Sequence, residues 1–134
     1  MYTNAAAGYQ AYQKNKYETA SPHKLILMLY NGALKYIKQA ESELSEGHHS
    51  TAHRNILKVQ DIIYELIACL NEREGGEIAK NLKTLYLYVI DQLVQANIQK
   101  SVGPLDEART VIQSIKEAWE AIGKEVVTGQ SYGQ

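Results

Sequence analysis

Ile56, Val59, Ile63, Leu66 and Leu70 follow one another at steps of three, four, three and four residues. Such a repeat puts every member on one stripe of an α-helix and does not fit the period of two that a strand requires. The same stepping recurs in Ile26, Leu29, Ala33, Ile37, Ala40 and Leu44, in Ile78, Leu82, Leu85, Val89, Gln92 and Ala96, and in Leu105, Ala108, Ile112, Ile115, Trp119 and Ile122. No strand pattern competes with these seams, so the fold class is all-α. Helices of about 20 residues joined by short turns predict an antiparallel up-down four-helix bundle.

Local signals set the expected boundaries. Ser21 offers a side-chain acceptor to the first turn, and Pro22 suits a first helical position where its missing N–H has no partner, so the first helix is expected over 22–45. Glu46-Gly47 ends it, and a second helix is expected over 50–71. The run Glu72-Arg73-Glu74-Gly75-Gly76 has the composition of a turn, which leaves a third helix over 77–100. Ser101-Val102-Gly103 breaks that helix, and Pro104, with Asp106 and Glu107 behind it, opens a fourth over 104–122. The bundle domain therefore spans 19–124. Residues 1–18 carry Tyr2, Tyr9, Tyr12 and Tyr17 among Ala, Gln, Asn and Lys, which is the composition of a flexible Tyr-rich N-terminal arm. This arm either frays or docks on the body through Tyr9 and Tyr12. Residues 125–134 have the composition of a loose C-terminal tail.

At 134 residues the chain makes one domain with a real core. Its 14 basic and 15 acidic residues nearly cancel and are interspersed on every helix, which argues against a nucleic-acid partner. The single cysteine, Cys69, excludes an internal disulfide and reads as a small core residue. The N-terminus lacks the pattern of a signal peptide, and no apolar run approaches the roughly 20 residues that span a bilayer. The expectation is a soluble, cytoplasmic protein without membrane insertion.

The chemistry of a catalytic or metal site is not legible. A di-metal bundle needs inward Glu-x-x-His pairs on two helices, whereas the one match, Glu46 to His49, straddles Gly47 in a turn. His49 and His53 have chelating spacing but crowd a solvated helix start beside His48. Cys69 has no histidine near it in sequence, and Gly75-Gly76 lacks the Lys-Ser/Thr of a phosphate loop. No catalytic residue, metal ligand or cofactor is assigned, and the chain is not read as an enzyme.

What the seams leave over is apolar surface. Leu27, Tyr30, Leu57, Ile62, Tyr64, Tyr86, Ile90 and Leu93 flank them on the first three helices. Each such side chain contributes roughly 1.5–3 kcal/mol when buried. Either a wide core takes them in, or they form a surface that something else covers. Phe is absent and Tyr occurs ten times, a composition that keeps an aromatic surface wettable. A homodimeric helical scaffold is one way to cover such a surface.

The order and spacing of several segments carry a resemblance. Thr19-Ala20-Ser21-Pro22-His23-Lys24-Leu25-Ile26-Leu27-Met28-Leu29-Tyr30-Asn31-Gly32-Ala33-Leu34, then Ile62-Ile63-Tyr64-Glu65-Leu66, Gly75-Gly76-Glu77-Ile78-Ala79-Lys80-Asn81-Leu82, Leu85-Tyr86, Leu93-Val94-Gln95-Ala96-Asn97 and Glu117-Ala118-Trp119 together resemble the flagellar secretion chaperone family FliS. The similarity covers nearly the whole chain. Asn31 departs from it, standing where the family often has Asp. The resemblance implies a cytoplasmic export chaperone that binds the disordered C-terminal segment of flagellin, prevents premature polymerisation and assists delivery to the flagellar export apparatus, without a cofactor. It also allows for other flagellar assembly or export proteins as partners. Carried over residue by residue, it makes Ile62, Tyr64, Leu66, Tyr86, Leu93 and Asn97 the candidate client-binding residues and Tyr9 and Tyr12 an N-terminal plug.

Overall fold

Ser21 accepts a hydrogen bond from the Lys24 amide at 3.2 Å and so caps the helix that Pro22 begins. From there the computed structural model describes residues 21–128 as four helices: α1 (Pro22–Ser45), α2 (His49–Ala68), α3 (Glu72–Gln99) and α4 (Val102–Thr128). No strand occurs among the described residues. The expected arm over 1–18, with Tyr9 and Tyr12, lies outside them, as do the last six residues of the expected tail. Each helix packs on its two chain neighbours, and α4 closes the ring against α1, so the bundle is up-down and antiparallel. Its core is aliphatic at the centre, with Leu29, Ile37, Ile56, Ile63, Leu93 and Ile112 almost wholly enclosed.

Three boundaries differ from the expected ones. α2 stops at Ala68 rather than at Asn71, because the Asn71 side chain caps the next helical turn and accepts from the Glu74 amide at 3.1 Å. Residues 72–75, expected as a turn, make that helical turn, and the chain bends at Gly76, where φ is +54° and ψ is −129°. α4 starts at Val102 rather than Pro104, with the Gly103 amide donating to Ser101 Oγ at 3.2 Å. Pro104 then sits in the first turn, where its missing N–H has no intrahelical partner. α4 also runs past the expected end at Ile122, as far as Thr128. Cys69, expected in the core, is exposed because the helix that would have buried it has ended.

The face that α3 turns inward also differs. Ile78 and Leu85 belong to the expected seam, yet Ile78 is 74% exposed and Leu85 faces water as well. The buried stripe is Ala79, Tyr86, Val89, Leu93 and Ala96, with Leu82 half-buried against it. It shares Leu82, Val89 and Ala96 with the expected seam and steps by three and four equally well.

At one end of the bundle α1 and α4 are locked together. His23 Nε2–H donates to the Trp119 carbonyl at 2.6 Å, and Trp119 Nε1–H donates to the His23 carbonyl at 2.9 Å. The two rings stack with centroids 4.9 Å apart and planes within 6° of parallel. Gly123 lies beneath the imidazole, and a Cβ there would collide with the ring. This glycine therefore makes room for His23 inside a continuing helix and does not end it. Gly123→Ala is expected to lower unfolding stability by about 1–3 kcal/mol, the usual cost of overpacking. In chemical denaturation, His23→Ala with Gly123→Ala should cost less than the sum of the two single changes, since removing the ring removes the collision. Strict additivity would show that the ring and the glycine do not meet.

Candidate functional site

The six candidate client-binding positions do not share one environment. Ile62, Leu66, Tyr86 and Leu93 are buried, Asn97 is half-buried, and Tyr64 is 51% exposed. The four buried residues lie inside the bundle: Leu66 belongs to the α2 seam and Ile62 widens it, while the turn of α3 about its axis brings in Tyr86 and Leu93.

Tyr86 illustrates why. Its hydroxyl lies 2.6 Å from that of Tyr30, and both residues are almost completely enclosed, at 2% and 1% exposure. One phenol donates and the other accepts. Burial raises the pKa of both tyrosines above the ordinary value near 10, and for Tyr86 the bond to Tyr30 adds to the rise. A buried hydroxyl without a partner costs about 1–3 kcal/mol, so each phenol holds the other in the core.

The apolar residues that remain outside form two rows. On α2, Asn55 donates to the Glu43 carboxylate at 2.7 Å and Lys58 lies over the Tyr36 ring, which marks the edge of α2 that faces α1. Leu57 and Tyr64, seven residues apart and both exposed, occupy the opposite edge. On α3, the Tyr88 hydroxyl donates to Glu107 at 2.9 Å and marks the edge that faces α4. Leu87, Val94 and Ile98, at steps of seven and four, lie on the other edge, with Ile98 69% exposed. Helical spacing thus sets the two rows on the sides of α2 and α3 turned away from α1 and α4, and the strip between these helices, here called the α2–α3 cleft, is the candidate docking surface. Leu57 and Tyr64 carry a sequence signal as flank residues. Leu87 and Ile98 escape the seam reading, although their spacing from Val94 marks a second stripe.

This surface offers an apolar client an edge on either side of a closed core, with no reactive group in it. Among the described residues no cluster of three or more His, Cys, Asp and Glu is placed to hold a metal, and no helix is long and apolar enough to cross a membrane.

Known proteins are similar to this chain in sequence and in shape. Residues 5–126 match the family described as flagellar protein FliS. The flagellar secretion chaperone FliS of Vibrio cholerae is 37% identical over 120 residues, covering 87% of this chain and 88% of that protein. The Bacillus subtilis protein of the same name is 38% identical over 112 residues, covering 84% and 83%. The Salmonella typhimurium one is 38% identical over 127 residues, covering 91% and 93%. A crystal structure of a bacterial flagellar chaperone superposes with a TM-score of 0.74 at 19% identity, over 90% of this chain and 98% of that one. At that identity the superposition speaks for the fold.

Core and docking edge separate in one comparison. Ile62→Asp puts a carboxylate into the enclosed interior and is expected to cost about 3 kcal/mol or more. Tyr64→Asp, on the exposed edge, should stay within about 1 kcal/mol of the parent in urea unfolding. Equal losses would mean that the two positions are not on opposite sides of the core boundary.

Proposed function

The chain belongs to the FliS family of flagellar proteins, and from that membership we propose that it is a cytoplasmic export chaperone for the disordered C-terminal segment of flagellin. FliS is a family of chaperones and not of enzymes, so the work to explain is recognition. The observation that carries the proposal is the pair of exposed apolar rows flanking the α2–α3 cleft, Leu57 with Tyr64 and Leu87 with Val94 and Ile98.

A flagellin segment that is disordered on its own has apolar positions but no core in which to put them. Laid along the cleft as amphipathic turns, it covers these rows and is itself ordered, at an entropic cost that keeps the complex reversible. Held in this way, the segment is withheld from polymerisation until delivery to the export apparatus, and no nucleotide is consumed. Other flagellar assembly or export proteins fit the same role as later partners. Tyr64 belongs to the contact surface. Ile62, Leu66, Tyr86 and Leu93 act beneath it as the rigid floor, and Asn97 is placed to meet client amides at its edge.

Tyr9 and Tyr12 are proposed as a plug for the same rows when no client is present. A tethered segment acts at an effective concentration of roughly millimolar, so an arm of millimolar intrinsic affinity weakens client binding only about twofold. A micromolar client displaces it.

Calorimetric titration with the last 40 or so residues of flagellin, a length taken from the family resemblance, tests the proposal. A one-to-one complex is expected. Leu57→Asp and Leu87→Asp should each weaken it by about tenfold or more, from the loss of one buried apolar side chain, with helical circular dichroism unchanged. Deleting residues 1–17 should strengthen binding about twofold. Unchanged affinity in both charge variants would remove the cleft as the site. A stable homodimer that takes up no flagellin would replace the chaperone with a self-associating scaffold.

A further inference from the structure

The first turn of α3 is folded back on the helix it begins. Asn71 holds this turn from both of its acceptors: its Oδ1 takes the Glu74 amide at 3.1 Å and its carbonyl takes the Gly75 amide at 2.7 Å. At Gly76 the backbone adopts φ +54° and ψ −129°, a combination that L side chains rarely take, and the helix resumes in a new direction. In a straight helix the Cα atoms of residues 72 and 83 would be about 16 Å apart, more than a Glu and a Lys can bridge end to end. Glu72 Oε2 and Lys83 Nζ are nevertheless 3.1 Å apart. The turn therefore bends at Gly76 toward the flank that carries Lys83.

That flank is the docking edge. Lys83 stands four residues before Leu87 and eleven before Val94, so the three share one stripe of α3. Glu72 thus reaches across the stripe one helical turn ahead of its first exposed leucine. Glu72 and Lys83 are both about half exposed, which leaves their pair open to solvent and to salt.

We propose that residues 71–76 are a flap, hinged at Gly76 and latched by Glu72 and Lys83, that closes one end of the α2–α3 cleft and swings out when a client segment runs past it. The role rests on the client reading given above. An exposed ion pair biases an equilibrium by about fivefold at most, so the latch holds the flap without locking it. Glycine at the hinge permits both the folded-back turn and a straight continuation.

The full chain allows the test. Amide exchange at Glu74 and Gly75 is followed by NMR, and association with the C-terminal flagellin segment by stopped flow. Glu72→Gln should speed both by about two- to fivefold and leave exchange in α1 and α4 unchanged. Exchanging the charges, with Glu72→Lys and Lys83→Glu together, should bring both rates back toward the parent. Gly76→Ala, which disfavours the folded-back turn, should speed association as Glu72→Gln does. Unchanged exchange in Glu72→Gln overturns the latch, and faster exchange with unchanged association overturns the flap's role at the cleft. If the parent chain fails to bind the segment at all, the client reading falls and the flap's role with it; parent binding with no effect of the variants rejects the flap alone.

Discussion

A hydrogen bond of 2.6 Å between two enclosed phenols, Tyr30 and Tyr86, fixes how α3 is turned about its axis. α3 carries two apolar stripes that step by three and four and share Leu82, Val89 and Ala96. Bringing Ile78 and Leu85 inward would swing Tyr86 out and leave the Tyr30 hydroxyl alone in the core, at a cost of about 1–3 kcal/mol. With Tyr86 inward, Ala79, Ile90 and Leu93 come in as well, and Leu87, Val94 and Ile98 are left on the edge beside α2. The apolar rows of the docking surface are therefore a consequence of the polar bond inside. α2 follows the same logic, since Ile62 and Leu66 close the core while Leu57 and Tyr64 stay outside.

The fold class and the number of helices were legible because each seam is long and regular, and one helical face buried in a bundle is a strong constraint. The rotation of α3 was not, because a seam of steps three and four does not distinguish two offset stripes that have half their members in common. What decides between them is a contact between residues 56 positions apart. The candidate site inherited that ambiguity: of six residues only Tyr64 lies well out in solvent, and Asn97 is half-buried. Boundaries were missed for a related reason. Asn71 and Gly123 read locally as the end of α2 and the end of α4. One instead caps the turn that follows it, and the other makes room for an imidazole from a residue a hundred positions earlier.

The lock between α1 and α4 and the turn between α2 and α3 lie at the same end of the bundle and are held in different ways. The His23–Trp119 lock combines two hydrogen bonds, a ring stack and a glycine that leaves room for the imidazole. It ties the root of the N-terminal segment to α4. The turn between α2 and α3 is held by an Asn cap and an exposed ion pair, which are weaker and responsive to salt. A chaperone that must take up and release a client benefits from this division, with a rigid core under the contact surface and a lightly held segment at its margin.

Membership in the FliS family fixes the biological setting, and the exposed rows beside the α2–α3 cleft are the site proposed for it. The most direct test is a residue-resolved map of NMR shift changes when the isotope-labelled chain is titrated with the C-terminal segment of flagellin. The largest changes are expected on Leu57, Tyr64, Leu87, Val94 and Ile98 along the two rows, with the α1–α4 face silent. Changes concentrated on the α1–α4 face, or none at saturating segment, would contradict the proposed site.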